Sequence, residues 1–155
     1  MTSKEKTSID FDVISLDLSD SNFISTIMLV SKYPPFFNYS FRLMLIKIID
    51  QMKFKSNVSV IHQGKLVGYA GWIVVDDTEA SRWQRDGGEI PTPNWENGNA
   101  SIVTITVTDD RKYLLPLMRA ISKKNAGKKV YAIRSFLDGR EAQRRPAIVG
   151  RDSSI

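Results

Sequence analysis

The chain has 155 residues, 42% of them hydrophobic and 25% charged, which suits one domain with a packed core and excludes global disorder. It has no cysteine, which excludes disulfides, thiolate nucleophiles and cysteine-bound zinc and fits a reducing compartment such as the cytoplasm. No stretch approaches the roughly 20 apolar residues of a membrane span, and we expect no secretory signal because the first residues are polar and charged.

The N-terminal part predicts an extended segment and two helices. Residues 9–18 alternate partly between apolar and polar side chains, which indicates an edge strand or an extended arm. The stretch SDSNFISTIMLVSK combines serine caps with apolar residues at helical spacing. The prolines of YPPFF favour an extended link after it. NYSFRLMLIKIIDQMKF then predicts a second helix, whose apolar stripe is Phe41, Leu45, Ile48, Ile49 and Met52.

A β-hairpin is predicted next, with NVSVIHQ and KLVGYAGWIVV on either side of a turn at Gly64. Gly68 and Gly71 inside the second strand indicate a bulge or the close approach of another group. His62, the only histidine, lies beside the turn. A general base needs an orienting partner, and the sequence places no carboxylate next to His62, so we interpret it as a surface residue.

A short helix, DDTEASRWQRD, is predicted after the hairpin, with Asp76 or Asp77 as its cap. The Gly- and Pro-rich stretch Gly87–Asn99 predicts a long loop. Trp83 and Trp95 flank this loop, and their large rings indicate a lid on the sheet or a contact with a partner.

The last third predicts a strand, a helix and another strand. ASIVTITVT is rich in β-branched residues and predicts a strand, although its alternation is imperfect. DRKYLLPLMRAISKKN reads as a helix capped by Asp109 or Asp110, and KKVYAIRSF as a strand. Strand–helix–strand order favours a parallel pair. The sequence therefore predicts an α/β (α+β) domain over residues 1–136, with a mixed sheet of about five strands and helices on its faces, and a basic tail over 137–155.

The net charge of +5 comes largely from the C-terminal third. A basic surface suits an acidic partner, although a solvated helix face would have the same composition. We assign the candidate partner surface to Arg134, Arg140, Arg144 and Arg145. Nucleic acid is not expected, because no nucleic-acid-binding module is recognisable.

The order of elements is similar to the N-acetyltransferase-like superfamily: GKLVGYAGW resembles its hairpin, SIVTITVT its central strand, KYLLPLMRAISKKN the helix that follows and KKVYAIRSF the next strand. That superfamily holds the coenzyme A pyrophosphate at a Gly-rich turn after the central strand. Here the turn is TDDRKYLLP, with no glycine and two carboxylates. We therefore do not expect coenzyme A bound in that way, and we predict no cofactor and no metal.

Three segments within about residues 23–136 resemble toxin-activating lysine acyltransferases: FISTIMLVSKYPPFFNYSFRLMLIKI, IHQGKLVGYAGWIVV and NWENGNASIVTITVTDDRKYLLPLMRAI with VYAIR. The resemblance implies transfer of a fatty acyl chain from an acyl carrier protein to lysines of a protein substrate. The family's catalytic histidine falls near Phe36 and its aspartate near Thr104, so no catalytic residue is assigned. The expected acyl or partner cleft consists of Phe36, Asn38, Tyr39, Tyr69, Trp72 and Thr104.

Two functions stay open at this point. An acyltransferase with an altered site would bind an acyl carrier protein and a lysine-bearing substrate. A non-catalytic subunit would keep the fold and bind the neighbouring subunits of a larger assembly. The aromatic residues from Tyr33 to Phe41 would line an acyl groove in the first case and fill the core in the second.

Overall fold

The computed structural model describes residues 11–33, 40–134 and 143–152, with Arg134 described for its backbone alone. Over these residues the strands form one six-stranded sheet in chain order. The strands are β1 (Asp12–Ile14), β2 (Asn57–His62), β3 (Lys65–Val75), β4 (Ala100–Thr108), β5 (Lys129–Arg134) and β6 (Gln143–Val149). The helices are α1 (Asp20–Val30), α2 (Phe41–Lys53), α3 (Asp77–Asp86) and α4 (Leu114–Lys124), the last entered through a 3-10 turn at Arg111–Tyr113.

The sheet is mixed, as predicted. β4 and β5 are parallel, while every other neighbouring pair is antiparallel. The short strand β1 lies at one edge, where the sequence indicated an edge strand. The sixth strand is the difference from the predicted count, because Gln143–Val149 pairs with β5 inside the stretch that was expected to be a tail. Pro146 in β6 is compatible with this position, since a proline without an N–H is tolerated at a sheet edge.

The helices cover both faces of the sheet. On one face α1 and α2 pack over residues such as Tyr69 and Ile105, and α3 packs over the neighbouring part of the same strands. On the other face α4 packs through Leu117 and Ile121. Because β3 and β4 lie between these two layers, nearly every residue of both strands is buried. Over the described residues, no helix is long and apolar enough to cross a membrane.

The buried stripe of α2 differs from the predicted one. Met44, Ile48, Gln51 and Met52 face the sheet, while Phe41 and Ile49 are exposed. The prediction is right for Ile48 and Met52 and wrong for Phe41 and Ile49. It assumed that the most apolar arc faces the core, whereas a polar residue, Gln51, takes a core position through hydrogen bonds.

The predicted caps are partly confirmed. The Asp110 carboxylate accepts the Lys112 N–H at 2.9 Å and caps the turn before α4. Asp76 stands at the N-cap position of α3 but makes no side-chain cap bond there. Instead the Asn99 side chain accepts the Asp77 N–H at 2.8 Å, and Asp76 accepts the Asn94 amide.

A β-bulge between β3 and β4 explains the imperfect alternation of β4. Gly71 is opposite Ile105 and Trp72 is opposite Val103, so Thr104 is the extra residue. Because of the bulge, Thr104 and the next residue, Ile105, both face α2, and Gln51 donates to the Thr104 hydroxyl at 2.8 Å. The bulge expected from Gly71 is therefore present, and the group that approaches this glycine is the Gln51 side chain.

Candidate functional site

The parallel strands β4 and β5 pair over only part of their length. Their register runs from Ala100 opposite Lys129 to Val103 opposite Ala132. β4 continues to Thr108 with β3 as its partner, and no pairing with β5 is found beyond Val103 among the described residues. The separation begins at the bulge residue Thr104, because a bulge bends the strand that carries it.

A cavity of about 390 Å³ lies beside this separation, between β4, α4, β5 and β6, and we call it the α4–β6 cavity. Its lining is mainly apolar, from Val103, Met118, Ile121, Val130, Ala132 and Ile148. Thr106, Ser122 and Arg145 supply the polar atoms, and Arg145 is the one charged lining residue in the part of the chain that the structure describes. Met118 and Ile148 are about half exposed, so the cavity opens to solvent.

The segment that forms α4 and β5 beside this cavity is basic. Residues 111–134 contain eight of the chain's 22 basic residues and no acidic residue. Arg119, Lys123 and Lys124 are exposed on α4. Such a one-sided distribution attracts an anionic partner and raises its rate of association.

The turn after β4 does not suit a nucleotide pyrophosphate. A helix N-terminus binds phosphate through free backbone N–H groups. Here the Asp110 carboxylate already accepts the Lys112 N–H, and Asp109 accepts the Tyr33 hydroxyl at 2.6 Å. That bond to Asp109 raises the pKa of Tyr33 to about 12. Two carboxylates thus occupy the region where a pyrophosphate would need donors, so the residues present do not fit coenzyme A held in that way.

Two of the predicted cleft residues meet in the core. The Tyr69 hydroxyl donates to Gln51 Oε1 at 2.7 Å, and Gln51 Nε2 donates to Thr104 Oγ1 at 2.8 Å. All three side chains are buried, and burial raises the pKa of the Tyr69 phenol. Tyr69 therefore stays neutral and acts as a donor, and the network ties α2 to β3 and β4.

The other predicted cleft residues are not joined to this network. Trp72 lies on the opposite face of the sheet with the α4 cluster. Phe36, Asn38 and Tyr39 lie outside the described residues. Gln51 is the member that sequence reasoning missed. The sequence held one sign of its role, because Gln51 is the only side-chain amide in α2 and Gly71 of the next predicted hairpin has no side chain to occupy the space that Gln51 fills.

His62 does not line the α4–β6 cavity. It is half-buried at the end of β2, with its ring centroid 6.3 Å from that of Tyr113. A separate surface pocket contains His62 together with Asp12, a carboxylate that the sequence alone did not place there. His62 thus lies near the surface, much as predicted, and it does not lie at the separation of β4 and β5.

The predicted basic partner surface divides into residues with different surroundings. Arg144 Nε donates to the Gln84 carbonyl at 2.8 Å, and Gln84 Nε2 donates to the Arg145 carbonyl at 3.0 Å. These bonds fasten β6 to α3, while Arg145 also lines the α4–β6 cavity. The Arg134 side chain and Arg140 lie outside the described residues.

Comparison with solved structures identifies the architecture. The loading GNATL domain of CurA from Lyngbya majuscula matches with a TM-score of 0.60 at 12% identity, covering 83% of this chain and 68% of that one. A GNAT family acetyltransferase from Brucella melitensis in complex with acetyl-CoA matches with a TM-score of 0.51 at 11% identity, covering 93% and 94%. The GNAT-like decarboxylase GphF in complex with isobutyryl-CoA matches with a TM-score of 0.54 at 14% identity, covering 80% and 65%.

The chain has the GNAT fold. The predicted N-acetyltransferase-like architecture is therefore confirmed as a single α+β domain, with six strands and four helices among the described residues. At 10–14% identity these likenesses show the fold alone. No protein-family model and no curated protein matches the sequence. The finer resemblance to toxin-activating lysine acyltransferases stays a prediction.

Proposed function

We propose that this GNAT-fold domain binds a fatty acyl chain presented by an acyl carrier protein, with the chain in the α4–β6 cavity. The observation that carries the proposal is an apolar cavity of about 390 Å³ at the separation of β4 and β5, beside a surface segment with basic residues and no acidic residue. The GphF and Brucella melitensis structures contain acyl thioesters of coenzyme A, which supports an acyl ligand on this fold.

The cavity chemistry favours an acyl chain over a polar ligand. Its volume is within the range of about 300–1,000 Å³ that is usual for small-molecule sites. Valine, isoleucine and methionine side chains make up most of the lining. Each methylene removed from water stabilises the complex by about 0.8 kcal/mol, so eight would contribute about 6 kcal/mol before the entropic cost of binding.

A carrier protein suits the surroundings better than coenzyme A. Asp109 and Asp110 repel a pyrophosphate at the turn after β4, whereas Arg119, Lys123 and Lys124 are placed to attract an acidic protein surface. Arg145 lies in the cavity lining, where its guanidinium can donate to a thioester carbonyl or a phosphate oxygen.

A non-catalytic binding subunit is the second candidate, and the composition of the cavity favours it. Among the described residues, the lining contains no histidine, aspartate or glutamate that could remove a proton from a lysine substrate. Tyr69 and Thr104 are committed to the buried Gln51 network. Acyl binding without transfer would therefore be the expected activity of this candidate.

Binding is tested by fluorescence anisotropy with labelled carrier protein in its octanoyl, palmitoyl and unacylated forms, and with octanoyl-CoA as competitor. Thr106→Phe introduces a ring into the cavity from a half-buried position of β4 and should weaken acyl-carrier binding by about tenfold or more. Thr108→Phe is the matched control, two residues further along the same strand and outside the lining.

The proposal is contradicted if unacylated carrier binds as tightly as the acylated forms, or if both substitutions weaken binding equally. Mass spectrometry of added protein substrates after incubation with acyl-carrier protein then separates the two candidates. Acylated lysines above the level without this chain would indicate an acyltransferase. Tight binding without acylation would favour the non-catalytic subunit.

A further inference from the structure

A second recess, which we call the lysine recess, lies at the carboxyl end of α4 and is separate from the α4–β6 cavity. Its volume is about 240 Å³. Three tryptophan or phenylalanine rings and three lysines contribute to its lining, namely Phe54, Trp72, Trp95, Lys55, Lys124 and Lys128. Of these lining residues, the function proposed above uses only Lys124, as one of the basic residues that attract an acidic carrier protein.

Phe54 and Trp95 form an aromatic platform in this recess. Their ring centroids are 4.5 Å apart and the planes are within 10° of parallel, while Phe54 keeps 41% of its surface exposed. Each ring covers one face of the other, so a further planar group can stack only on an outer face, and Phe54 is the more exposed ring. The Lys53 ammonium also lies over the Phe54 ring, 5.4 Å from its centroid. The two rings come from the end of α2 and from the loop that precedes β4, so the fold and not local sequence brings them together.

The loop that carries Trp95 is held rigidly. Asn94 N–H donates to the Val74 carbonyl at 2.7 Å, and the Asn94 side chain accepts the Asn97 N–H and donates to Asp76. An added Cβ at Gly98 would contact the Asn94 carbonyl at 2.6 Å, so only glycine allows this close packing. A ring presented on a fixed turn binds a ligand without the cost of ordering the loop.

Lys55 stands where a glycine would be expected. It follows the carboxyl end of α2 with φ of 52°, a left-handed conformation that glycine adopts without strain. A lysine there costs stability, and such strain concentrates at functional sites. The Lys55 side chain lines the recess, and its ammonium lies 3.8 Å from Asp17 in an exposed ion pair.

Lys124 and Lys128 supply further positive charge on the opposite wall. Lys124 belongs to the last turn of α4, and Lys128 lies just before β5. The helix end itself carries a partial negative charge, which Lys123 and Lys124 offset. The exposed Lys55–Asp17 pair is weak, so Lys55 and Lys128 keep positive charge on the recess and Lys124 adds to it.

We propose that the lysine recess binds a small anion that carries a planar ring, with the ring against the exposed Phe54 and the phosphate or carboxylate group toward the lysines. The volume is below the range of about 300–1,000 Å³ that drug-sized ligands occupy, so a single ring with one anionic group fits better than a dinucleotide.

Phenyl phosphate is the test ligand, with phenol and inorganic phosphate as its neutral and ring-free counterparts. Titration into the full chain is followed by tryptophan fluorescence, since Trp72 and Trp95 line the recess. Phenyl phosphate should bind at least about tenfold more tightly than either counterpart, and its affinity should fall as salt is added.

Lys124→Gln with Lys128→Gln should weaken phenyl phosphate by about tenfold or more. Arg119→Gln with Lys123→Gln removes the same charge elsewhere on α4 and should leave the affinity within about twofold. Lys55→Gly should weaken binding while leaving the urea midpoint equal or higher, because it relieves the left-handed strain.

Three results would overturn the proposal. They are equal affinities for phenyl phosphate and inorganic phosphate, an equal loss in the two double variants, and no saturable binding of phenyl phosphate at low salt. The first two would mean that the recess is only part of a diffuse basic surface, and the third that it is not a site for this class of ligand.

Discussion

Gly71→Ala should destabilise the domain because the added methyl group would overlap Oε1 of Gln51. The Gln51 amide cannot simply rotate away, since it accepts the Tyr69 hydroxyl at 2.7 Å and donates to Thr104 at 2.8 Å. Gln51 and Tyr69 are fully buried, so no water replaces a lost partner. The substitution therefore forces the strand apart or breaks the network.

The expected loss follows from the groups left without a partner. A buried polar group that loses its hydrogen bond costs about 1–3 kcal/mol, and two are at risk here. Alanine also restricts the unfolded chain more than glycine does, and this effect stabilises the folded state by about 0.4–1 kcal/mol. We expect a net loss of about 1–5 kcal/mol, a large part of the roughly 5–15 kcal/mol that stabilises a domain.

Urea unfolding followed by tryptophan fluorescence measures this loss, with Gly68→Ala as the control on the same strand. There the added Cβ would meet Leu117 and Val60 side chains at 3.3 Å, which can shift slightly, so the cost should be under about 1.5 kcal/mol. In a Gln51→Ala background, Gly71→Ala should cost at least about 1 kcal/mol less than in the natural chain. Additive costs, or equal costs for the two glycines, would refute the reasoning.

Three other changes have defined outcomes. The bond to Asp109 raises the pKa of Tyr33 from 10.0 to about 12. The stability that this bond adds is therefore present below pH 10 and is lost as the pH rises through 12. In Tyr33→Phe, the urea midpoint should no longer show this part of the decline at alkaline pH. Asn94→Ala breaks the bonds that hold the Trp95 loop and should lower the unfolding free energy by about 1–2 kcal/mol and increase amide exchange in the loop. Asn57→Ala removes a buried side chain that hydrogen-bonds main-chain groups of Leu16 and Gln51. Urea unfolding should show that the unfolding free energy falls by about 2–4 kcal/mol. A fall of less than about 1 kcal/mol would contradict the bridging role of Asn57.

The order of elements was predictable because the helices have apolar residues at helical spacing and the strands are apolar or β-branched runs bounded by turn residues. The hairpin, β4, α4 and β5 all lie where their patterns indicated. β6 was missed because most of its residues are exposed and Pro146 interrupts it, so its pattern resembles a polar tail. Its position depends on main-chain pairing with β5 and on the bonds between Arg144 and Gln84, neither of which leaves a local sequence signal.

The candidate site was predictable only in part. Tyr69 and Thr104 lie on the paired strands β3 and β4, in the segments that the resemblance assigned to the hairpin and the central strand. The sequence could not show that Gln51 joins them, because they are 18 and 53 positions from that residue. The α4–β6 cavity depends on where β4 and β5 stop pairing, which is a property of the sheet. Likewise, Phe54 and Trp95 are 41 positions apart, and only the fold stacks them.

The extra residue in β4 also bears on how the chain avoids misfolding. β3 and β4 are apolar on both faces, so sliding one strand past the other by one residue would cost little buried surface. The hydrophobic pattern alone would leave such slipped pairs as traps during folding. Only the native alignment places Gly71 under Gln51 and turns Thr104 toward the same amide. The bulge thus fixes the register of β3 against β4, and deleting Thr104 should yield slowly interconverting forms in which these two strands are paired out of register.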